Sequence, residues 1–273
     1  MVSGRDYDIF REFLQDNCGI SLGPNKQYLV QTRIRRILSE HGIEGLGELV
    51  DKLNMRVNSR LREQVIDAMT TNETFWFRDN YPFEELKNTI FPELCSQRGA
   101  GIRIWSAACS SGQEPYTISM TVEEFKQKNP GKLSGNVEIT ATDLSPSMLD
   151  MAKKAEYDKL AVMRGLSAER LKLFFDEKPG DVWNVKNTVT SRVKFRPLNL
   201  QSSYSGLGKF DIIFCRNVLI YFNDELKTDI LRRLHGALKP GGILFLGSSE
   251  GVTGVTELFE MVHCRPGILY RAK

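Results

Sequence analysis

Cysteine, histidine and long apolar runs are all scarce in this sequence. Its five cysteines (18, 95, 109, 215 and 264) are scattered, odd in number and without a C-x-x-C pair. That pattern excludes a disulfide framework and a structural zinc site, and fits reduced thiols in a cytosol. Apolar runs such as Ile243 to Leu246 fall far short of the ~18 residues of a membrane span. The start, Met1-Val2-Ser3-Gly4-Arg5-Asp6-Tyr7-Asp8, is charged too early for a secretory signal. A cytoplasmic location without membrane insertion is the expectation. Neither sign of charge prevails, with Lys+Arg 37 against Asp+Glu 34, and the missing basic block disfavours a nucleic-acid partner.

What is present reads as a globular protein, 41% hydrophobic and 26% charged. A chain of 273 residues suggests about two domains and can bury a core without staples. Residues 1 to about 90 read as helix throughout. Ile9, Phe10, Phe13 and Leu14 recur at helical spacing before Gly19, and Val30, Ile34, Ile37 and Leu38 form a stripe closed by Gly42. A shorter helix is expected around Leu46 to Leu53, and another with the face Leu61, Val65, Met69 after Asn58-Ser59 as a candidate cap. From residue 101 short β-rich runs (102–105, 137–142, 193–198, 210–215, 243–246) alternate with helical stretches (115–127, 146–155, 224–238). Such alternation predicts a parallel sheet with crossover helices. Phe259 to His263 and Ile268 to Arg271, around Pro266-Gly267, read as a terminal hairpin. Residues 156–192 break the rhythm, with a helix near 167–175 and a strand-like Val182 to Thr190, and read as an insertion.

Open α/β sheets bind ligands at the carboxyl ends of their strands, and four such ends carry polar signals. After the first lies Ser106-Ala107-Ala108-Cys109-Ser110-Ser111-Gly112-Gln113-Glu114-Pro115-Tyr116, where small residues allow a tight turn and Pro115 suits a first helical turn. It is neither G-x-G-x-x-G nor a Walker loop with its lysine, so a polyphosphate ligand loses support. Glu114 there attracts an ammonium group, or simply complements the helix dipole. Asp143 ends the second strand and suits a ribose diol; alternatively Asp143 or Ser145 caps the helix beginning at Pro146. Asn199, in Pro197-Leu198-Asn199-Leu200, reads an adenine edge or is a turn residue. Arg216-Asn217 interrupts an apolar strand end, which is costly unless both are hydrogen-bonded. Together these residues describe a site for a nucleoside carrying an amino acid rather than phosphates, as in S-adenosylmethionine.

Three segments then carry a family resemblance. Thr71-Asn72-Glu73-Thr74-Phe75-Trp76-Phe77-Arg78 resembles an N-x-T-x-F-F-R segment, Ser106 to Tyr116 an A-x-C-S-x-G-x-E-P-Y motif, and Phe214 to Phe222 a C-R-N-V-x-I-Y-F motif. In this order they resemble the chemotaxis-receptor glutamate methyltransferases, the CheR family, over essentially the whole chain. The resemblance implies an α/β protein: a small all-helical N-terminal domain plus a Rossmann-like class I methyltransferase domain. The latter would have a mostly parallel seven-stranded sheet, a C-terminal antiparallel hairpin and an inserted small β-subdomain. The implied boundaries are a helical substrate-recognition domain at 1–70, a linker carrying active-site residues at 71–100, and a methyltransferase domain at 101–273 with its insertion at about 176–197. It implies methyl transfer from S-adenosylmethionine, leaving S-adenosylhomocysteine, to glutamates of the cytoplasmic helical bundle of chemoreceptors. By motif position the cofactor residues would be Asn72, Thr74, Arg78, Glu114, Asp143, Asn199, Leu200, Arg216 and Asn217. Arg78 and Tyr221 would stand nearest the transferred methyl.

A glutamate with pKa ~4.3 is ionised at neutral pH and needs no general base, so no catalytic histidine, cysteine or metal is expected. Cys109 and Cys215 read as small packing residues. Between Lys26 and Arg62 lie eight basic residues (26, 33, 35, 36, 52, 56, 60, 62) against four acidic ones (40, 44, 48, 51). Arg33 and Arg36 on one helical flank are the expected docking charges for an acidic receptor helix, against the alternative of a solvated surface. The insertion shows no Gly-rich loop for a receptor's C-terminal pentapeptide, which argues for tether-independent action, and a further regulatory partner is left open. Two other functions compete: methylation of a nucleic acid or metabolite, and a non-enzymatic S-adenosylmethionine sensor. Arg216-Asn217-Val218-Leu219 stands where nucleobase methyltransferases place an Asn/Asp-Pro-Pro-Tyr motif, and all the motif residues are present.

Overall fold

Apolar side chains at every third or fourth position fold the first part of the chain into four helices. These are α1 (Gly4–Cys18), α2 (Gln27–Glu40), α3 (Leu46–Asn54) and α4 (Ser59–Met69). Phe10, Leu14, Val30, Ile34, Leu49, Leu53 and Val65 close a core of their own. The computed structural model describes residues 4–55, 58–96, 101–133 and 135–273; Met1 to Ser3 of the charged start, Arg56 of the basic stretch and the last four linker residues lie outside them. Gly19 and Gly42 take left-handed φ of 76° and 61° beyond α1 and α2, the conformation glycine reaches without penalty. Asn58 does not cap: it stands at the N-cap of α4, but its amide donates to the Lys52 carbonyl at 3.4 Å. Nor is the first part helical throughout. Thr70 to Asn80 is irregular, with left-handed Phe77, Asp79 and Asn80, before α5 (Tyr81–Glu85), a π-helical turn (Leu86–Ile90) and α6 (Phe91–Ser96).

The main sheet begins with β1 (Ile102–Ala107), α7 (Gln113–Lys128), β2 (Val137–Asp143) and α8 (Pro146–Lys154). The insertion follows as β3 (Glu156–Asp158), α9 (Lys159–Met163), α10 (Ala168–Phe174), β4 (Phe175–Lys178), β5 (Val182–Val185) and α11 (Asn187–Thr190). The chain then completes the sheet with β6 (Val193–Pro197), β7 (Phe210–Cys215), α12 (Asp224–Ala237), β8 (Leu238–Leu246), β9 (Phe259–His263) and β10 (Ile268–Ala272). Strand order is β6-β2-β1-β7-β8-β10-β9, and β10 is antiparallel to both of its neighbours. The central strands are buried on both faces, which is why they read as apolar runs. Ile104, Ile139, Ile212, Phe214 and Phe245 pack on α7 and the helices before β1; Trp105, Ile213, Leu244 and Leu246 pack on α12.

The insertion occupies the stretch 156–192 that breaks the strand–helix rhythm, rather than the limits of about 176–197 that the resemblance implied. Its sheet has the order β3-β5-β4 and so starts at Glu156, while β6 belongs to the main sheet, paired with β2 from Ile139↔Val193 to Asp143↔Pro197. Val182 to Thr190 is no single strand: β5 stops at Val185 and a helical turn follows. Three residues of β3 are too few to show a period, and their partner lies some 25 residues downstream, as in Tyr157↔Trp183. The two parts of the molecule meet through hydrogen bonds. The Asp67 carboxylate accepts from the hydroxyls of Ser145 and Ser147 at the start of α8. Gln201 Nε2 donates to the Gln15 carbonyl (3.0 Å), and Ser21 N to the Tyr221 carbonyl (2.8 Å).

Candidate active site

The chain runs outward through β1, β2 and β6, then returns to place β7 on the other side of β1. At this switch point, beyond the carboxyl ends of the strands, an open α/β sheet forms its crevice. A cavity with about 1020 Å³ of open space, mouth included, lies there. Asn72, Thr74, Arg78, Glu114, Asp143, Asn199, Leu200, Arg216, Asn217 and Tyr221 all line it. Cys18, Ile20 and Met69 of the helical part line it as well, so neither part encloses the space alone.

The turn after β1 bends through left-handed Ala108 (φ 62°) and Ser110 (φ 50°), an arrangement that costs about 1–3 kcal/mol per residue and collects at functional sites. Ser110 N donates to Asp143 Oδ2 (2.7 Å) and Ser145 N to Asp143 Oδ1 (2.9 Å). The cap of α8 is Ser145, whose hydroxyl accepts from Met148 N (3.1 Å). Asp143 is thereby left to face the cavity, both of its oxygens already accepting from backbone N–H groups. Burial pushes its carboxyl above the ordinary range, against those backbone donors. Ser110 Oγ also donates to the Asn72 carbonyl (2.8 Å), holding the linker over the turn.

Arg216 is the hub of the opposite wall, its side chain 1% exposed. Nη1 donates to Glu114 Oε2 (3.0 Å); Nη2 donates to Asp79 Oδ2 (2.6 Å) and the Arg78 carbonyl (2.9 Å). Glu114 Oε1 accepts from Ser106 Oγ (2.7 Å). Burial pushes the Glu114 carboxyl above its ordinary range, opposed by the Arg216 charge and the Ser106 hydrogen bond. Two buried polar atoms in this wall have no partner, Arg216 Nε and Asn217 Oδ1. A donor and an acceptor buried without partners are costly, and both belong to residues lining the cavity.

Asn217 is left-handed (φ 59°) and is held by a residue the sequence reading missed. Glu250 Oε2 accepts from Asn217 N and from Gly247 N, both at 2.7 Å, and Oε1 from Ile220 N at 3.3 Å. A Cβ on Gly247 would stand 2.7 Å from both Asn217 Nδ2 and Glu250 Oε2. One carboxylate thus fixes the loop bearing Arg216, Asn217 and Tyr221. The signal was legible: Gly247-Ser248-Ser249-Glu250 is a fifth strand end, of small residues closed by an acid. Asp79 and Ser106 were also missed; each sits beside a motif residue without resembling a ligand.

The linker supplies the mouth. Arg78 donates to the Glu73 carbonyl (3.1 Å) and lies 5.3 Å from the Phe75 ring centre; among the described residues its guanidinium makes no ion pair. One expectation changes and another is narrowed. Arg33 is not a free docking charge: it donates to the Met69 carbonyl (2.6 Å), the Thr70 carbonyl (3.0 Å) and Thr71 Oγ1 (2.8 Å), clamping the linker to α2. The Asn199 amide is committed first to its turn, since Nδ2 donates to the Asn17 carbonyl (2.8 Å) and Oδ1 accepts from Gln201 N (3.0 Å), which leaves one hydrogen and one lone pair toward the cavity. Arg36 is exposed and paired with Glu40 at 2.6 Å. Cys109 and Cys215 are buried, their thiols pushed up chiefly by burial. Among the described residues no His/Cys/Asp/Glu group could hold a metal, and no helix is long and apolar enough to cross a membrane.

Comparison with known proteins matches both parts of the chain to one family. Residues 5–70 match a family described as "CheR methyltransferase, all-alpha domain", and residues 72–268 one described as "CheR methyltransferase, SAM binding domain". The chain is 57% identical over 273 residues to "Chemotaxis protein methyltransferase 1" of Pseudomonas aeruginosa, covering 100% of this chain and 99% of that protein. To the protein of the same name from Vibrio cholerae it is 50% identical, with 100% and 98% covered. To "Chemotaxis protein methyltransferase" of Salmonella typhimurium it is 33% identical, with 92% and 85% covered.

Proposed function

The chain belongs to the CheR methyltransferase family, an S-adenosylmethionine-dependent protein-glutamate O-methyltransferase family, and from that premise we propose how this cavity works and on what. The acceptors in this reading are glutamates on the cytoplasmic helices of chemoreceptors, methylated by an enzyme working in the same compartment. The observation that carries it is the wall where Arg216 Nε and Asn217 Oδ1 lie buried without partners beside the buried Glu114 carboxylate. A donor, an acceptor and an anion so grouped fit an amino-acid moiety, and the Glu114 carboxylate would repel a phosphate placed there.

In this assignment Glu114 and Asn217 Oδ1 hold the ammonium, and Arg78 holds the carboxylate of the cofactor's methionine part by its two-pronged fork. Asp143 accepts the ribose hydroxyls with the lone pairs its backbone donors leave free. Leu198 and Leu200 give the base an apolar wall. Asn72 and Thr74 close the site from the linker. The cofactor, when bound, supplies a methyl group already activated by its sulfonium. The acceptor carboxylate is already ionised, so the residues' task is alignment, which in favourable cases is worth ~7–11 kcal/mol. Tyr221, at the mouth, orients that carboxylate through its hydroxyl. Arg78 grips the cofactor rather than the acceptor, because neutralising the acceptor would blunt its nucleophilicity.

Arg36, exposed on α2, contributes to long-range attraction of an acidic helix. The short Pro179-Gly180-Asp181 turn between β4 and β5 supports receptor engagement without a peptide tether. Tandem mass spectrometry of a purified receptor fragment incubated with the enzyme and S-adenosylmethionine should place the methyl on glutamate. Tyr221→Phe and Arg78→Ala should lose most of that transfer while remaining folded; near-full activity in either removes the role given to that residue.

A further inference from the structure

We propose that an exposed apolar step on α9, formed by Leu160 and Met163, is a docking surface of this enzyme, and that it receives the apolar face of a glutamate-bearing helix. The proposal rests on the receptor-helix reading above and adds where that helix lies.

The step faces water in a way its helix does not require. α9 buries Val162 completely enough to anchor it to the insertion, yet leaves Leu160 77% and Met163 69% exposed. The two are three residues apart, hence neighbours on one helical face. Tyr28 is the only large apolar side chain among the described residues with greater exposure, at 80%.

The position of α9 gives this face its meaning. Trp76 N donates to the Arg164 carbonyl and Trp76 Nε1 to the Ala161 carbonyl, both at 3.1 Å. Gly165 lies so close to the linker that a Cβ there would stand 1.9 Å from the Trp76 carbonyl oxygen. Arg164 follows Met163 directly, pairs with Glu73 (2.9 Å), and lies 5.3 Å from the centre of the Phe75 ring, the same distance as Arg78. Glu73, Phe75 and Arg78 line the cavity. Contacts therefore run from Arg164 through Phe75 and Glu73 to the cavity, and the apolar step immediately precedes Arg164 in the chain.

A glutamate side chain is short, so a protein whose carboxylate enters the mouth must lay its backbone on the rim. On a helix the residues three and four positions from that glutamate lie ~5–6 Å away on the same side, and in an amphipathic helix some are apolar. Those residues meet Leu160 and Met163. Acidic neighbours meet Arg164, whose bond to Glu73 is an exposed pair, 55% and 63% open to solvent, and therefore readily exchanged. α9 has no acidic residue in its first turn, and the carboxylate of its N-cap, Asp158, is turned back to accept from Ala161 N at 2.7 Å. Apolar step and available guanidinium together fit an acidic amphipathic helix.

The test compares wild type with Leu160→Glu/Met163→Glu, using a chemoreceptor cytoplasmic fragment as acceptor and S-adenosylhomocysteine as binding probe. We expect KM for the fragment to rise at least about tenfold, with kcat, S-adenosylhomocysteine affinity and Tm near wild type. A photo-crosslinking side chain at position 160 should join the enzyme to the fragment. Unchanged KM, or no cross-link from a variant that still methylates, overturns the docking surface alone. A wild-type enzyme that leaves the fragment unmethylated overturns the receptor-helix reading and this proposal with it.

Discussion

Arg216 keeps a positive charge almost entirely from water, and its neighbours explain how. Desolvating an ion costs several kcal/mol, recovered only where hydrogen bonds satisfy it; two carboxylates and one carbonyl do so here. Burial raises Glu114 and Asp143, so each favours its neutral form more in the fold than in the unfolded chain. The stability each lends is full below its unfolded value, 4.5 for Glu and 3.8 for Asp, and is lost as pH rises through the folded value. Ligand binding runs the opposite way, since only the ionised forms attract an ammonium or accept hydroxyls. S-adenosylhomocysteine affinity, measured by calorimetry, should therefore fall on acidification from above the ordinary carboxylate range. Glu114→Gln should bind about 10–100-fold more weakly at neutral pH and show a shallower acid limb, with Asp143 still titrating. Identical pH profiles would contradict the assignment. Glu250 makes a second prediction at this scale. In Glu250→Gln an amide NH2 faces backbone donors, and a displacement of ~1 Å at a reacting group can cost ~10²-fold. Initial-rate kinetics should show kcat lowered toward that extent while thermal unfolding stays near wild type.

Among the elements, the linker between α4 and α5 does most to assemble the cavity while being the least regular. It is placed by others: by Arg33 from α2, by Ser110 from the turn after β1, and by Arg164 and Gly165 after α9. Arg33→Ala should accordingly destabilise the fold by about 1–3 kcal/mol and weaken S-adenosylhomocysteine binding. Arg36→Glu, remote from these bonds, should leave both unchanged and reduce only the salt-sensitive part of receptor methylation. Chemical denaturation and calorimetry on the two variants separate the cases. The elements also show what could be read beforehand. The helical stripes and the central strands followed from period, because their burial is periodic. β3 did not, being three residues long and defined by a distant partner. The charge of Arg33 was visible, but its capture by three oxygens some 36 to 38 residues away is a tertiary fact with no local trace. The same holds for Asn199, whose amide donates to the Asn17 carbonyl.

At the scale of the molecule, two differently built parts share one cavity. The helical part, with its own core, supplies Cys18, Ile20 and Met69; the sheet supplies the acidic and amide side chains at its switch point. Three of the strand ends were legible because Glu114, Asp143 and Arg216-Asn217 are polar residues set into apolar surroundings, and Glu250 at a further end obeyed the same rule. The missing basic block had argued only against a nucleic acid, and the surface adds detail: Arg33 is clamped to the linker, while Arg36 and Arg164 are exposed cations that each pair with one carboxylate. The central claim is that this cavity directs a methyl group onto a carboxylate of a receptor protein. Its most direct test incubates the enzyme with methyl-labelled S-adenosylmethionine and receptor-rich membranes, then treats the protein fraction with base. Carboxyl methyl esters hydrolyse, so the label should leave as volatile methanol; label that stays on the protein through base treatment, or never reaches the receptor, would contradict the account.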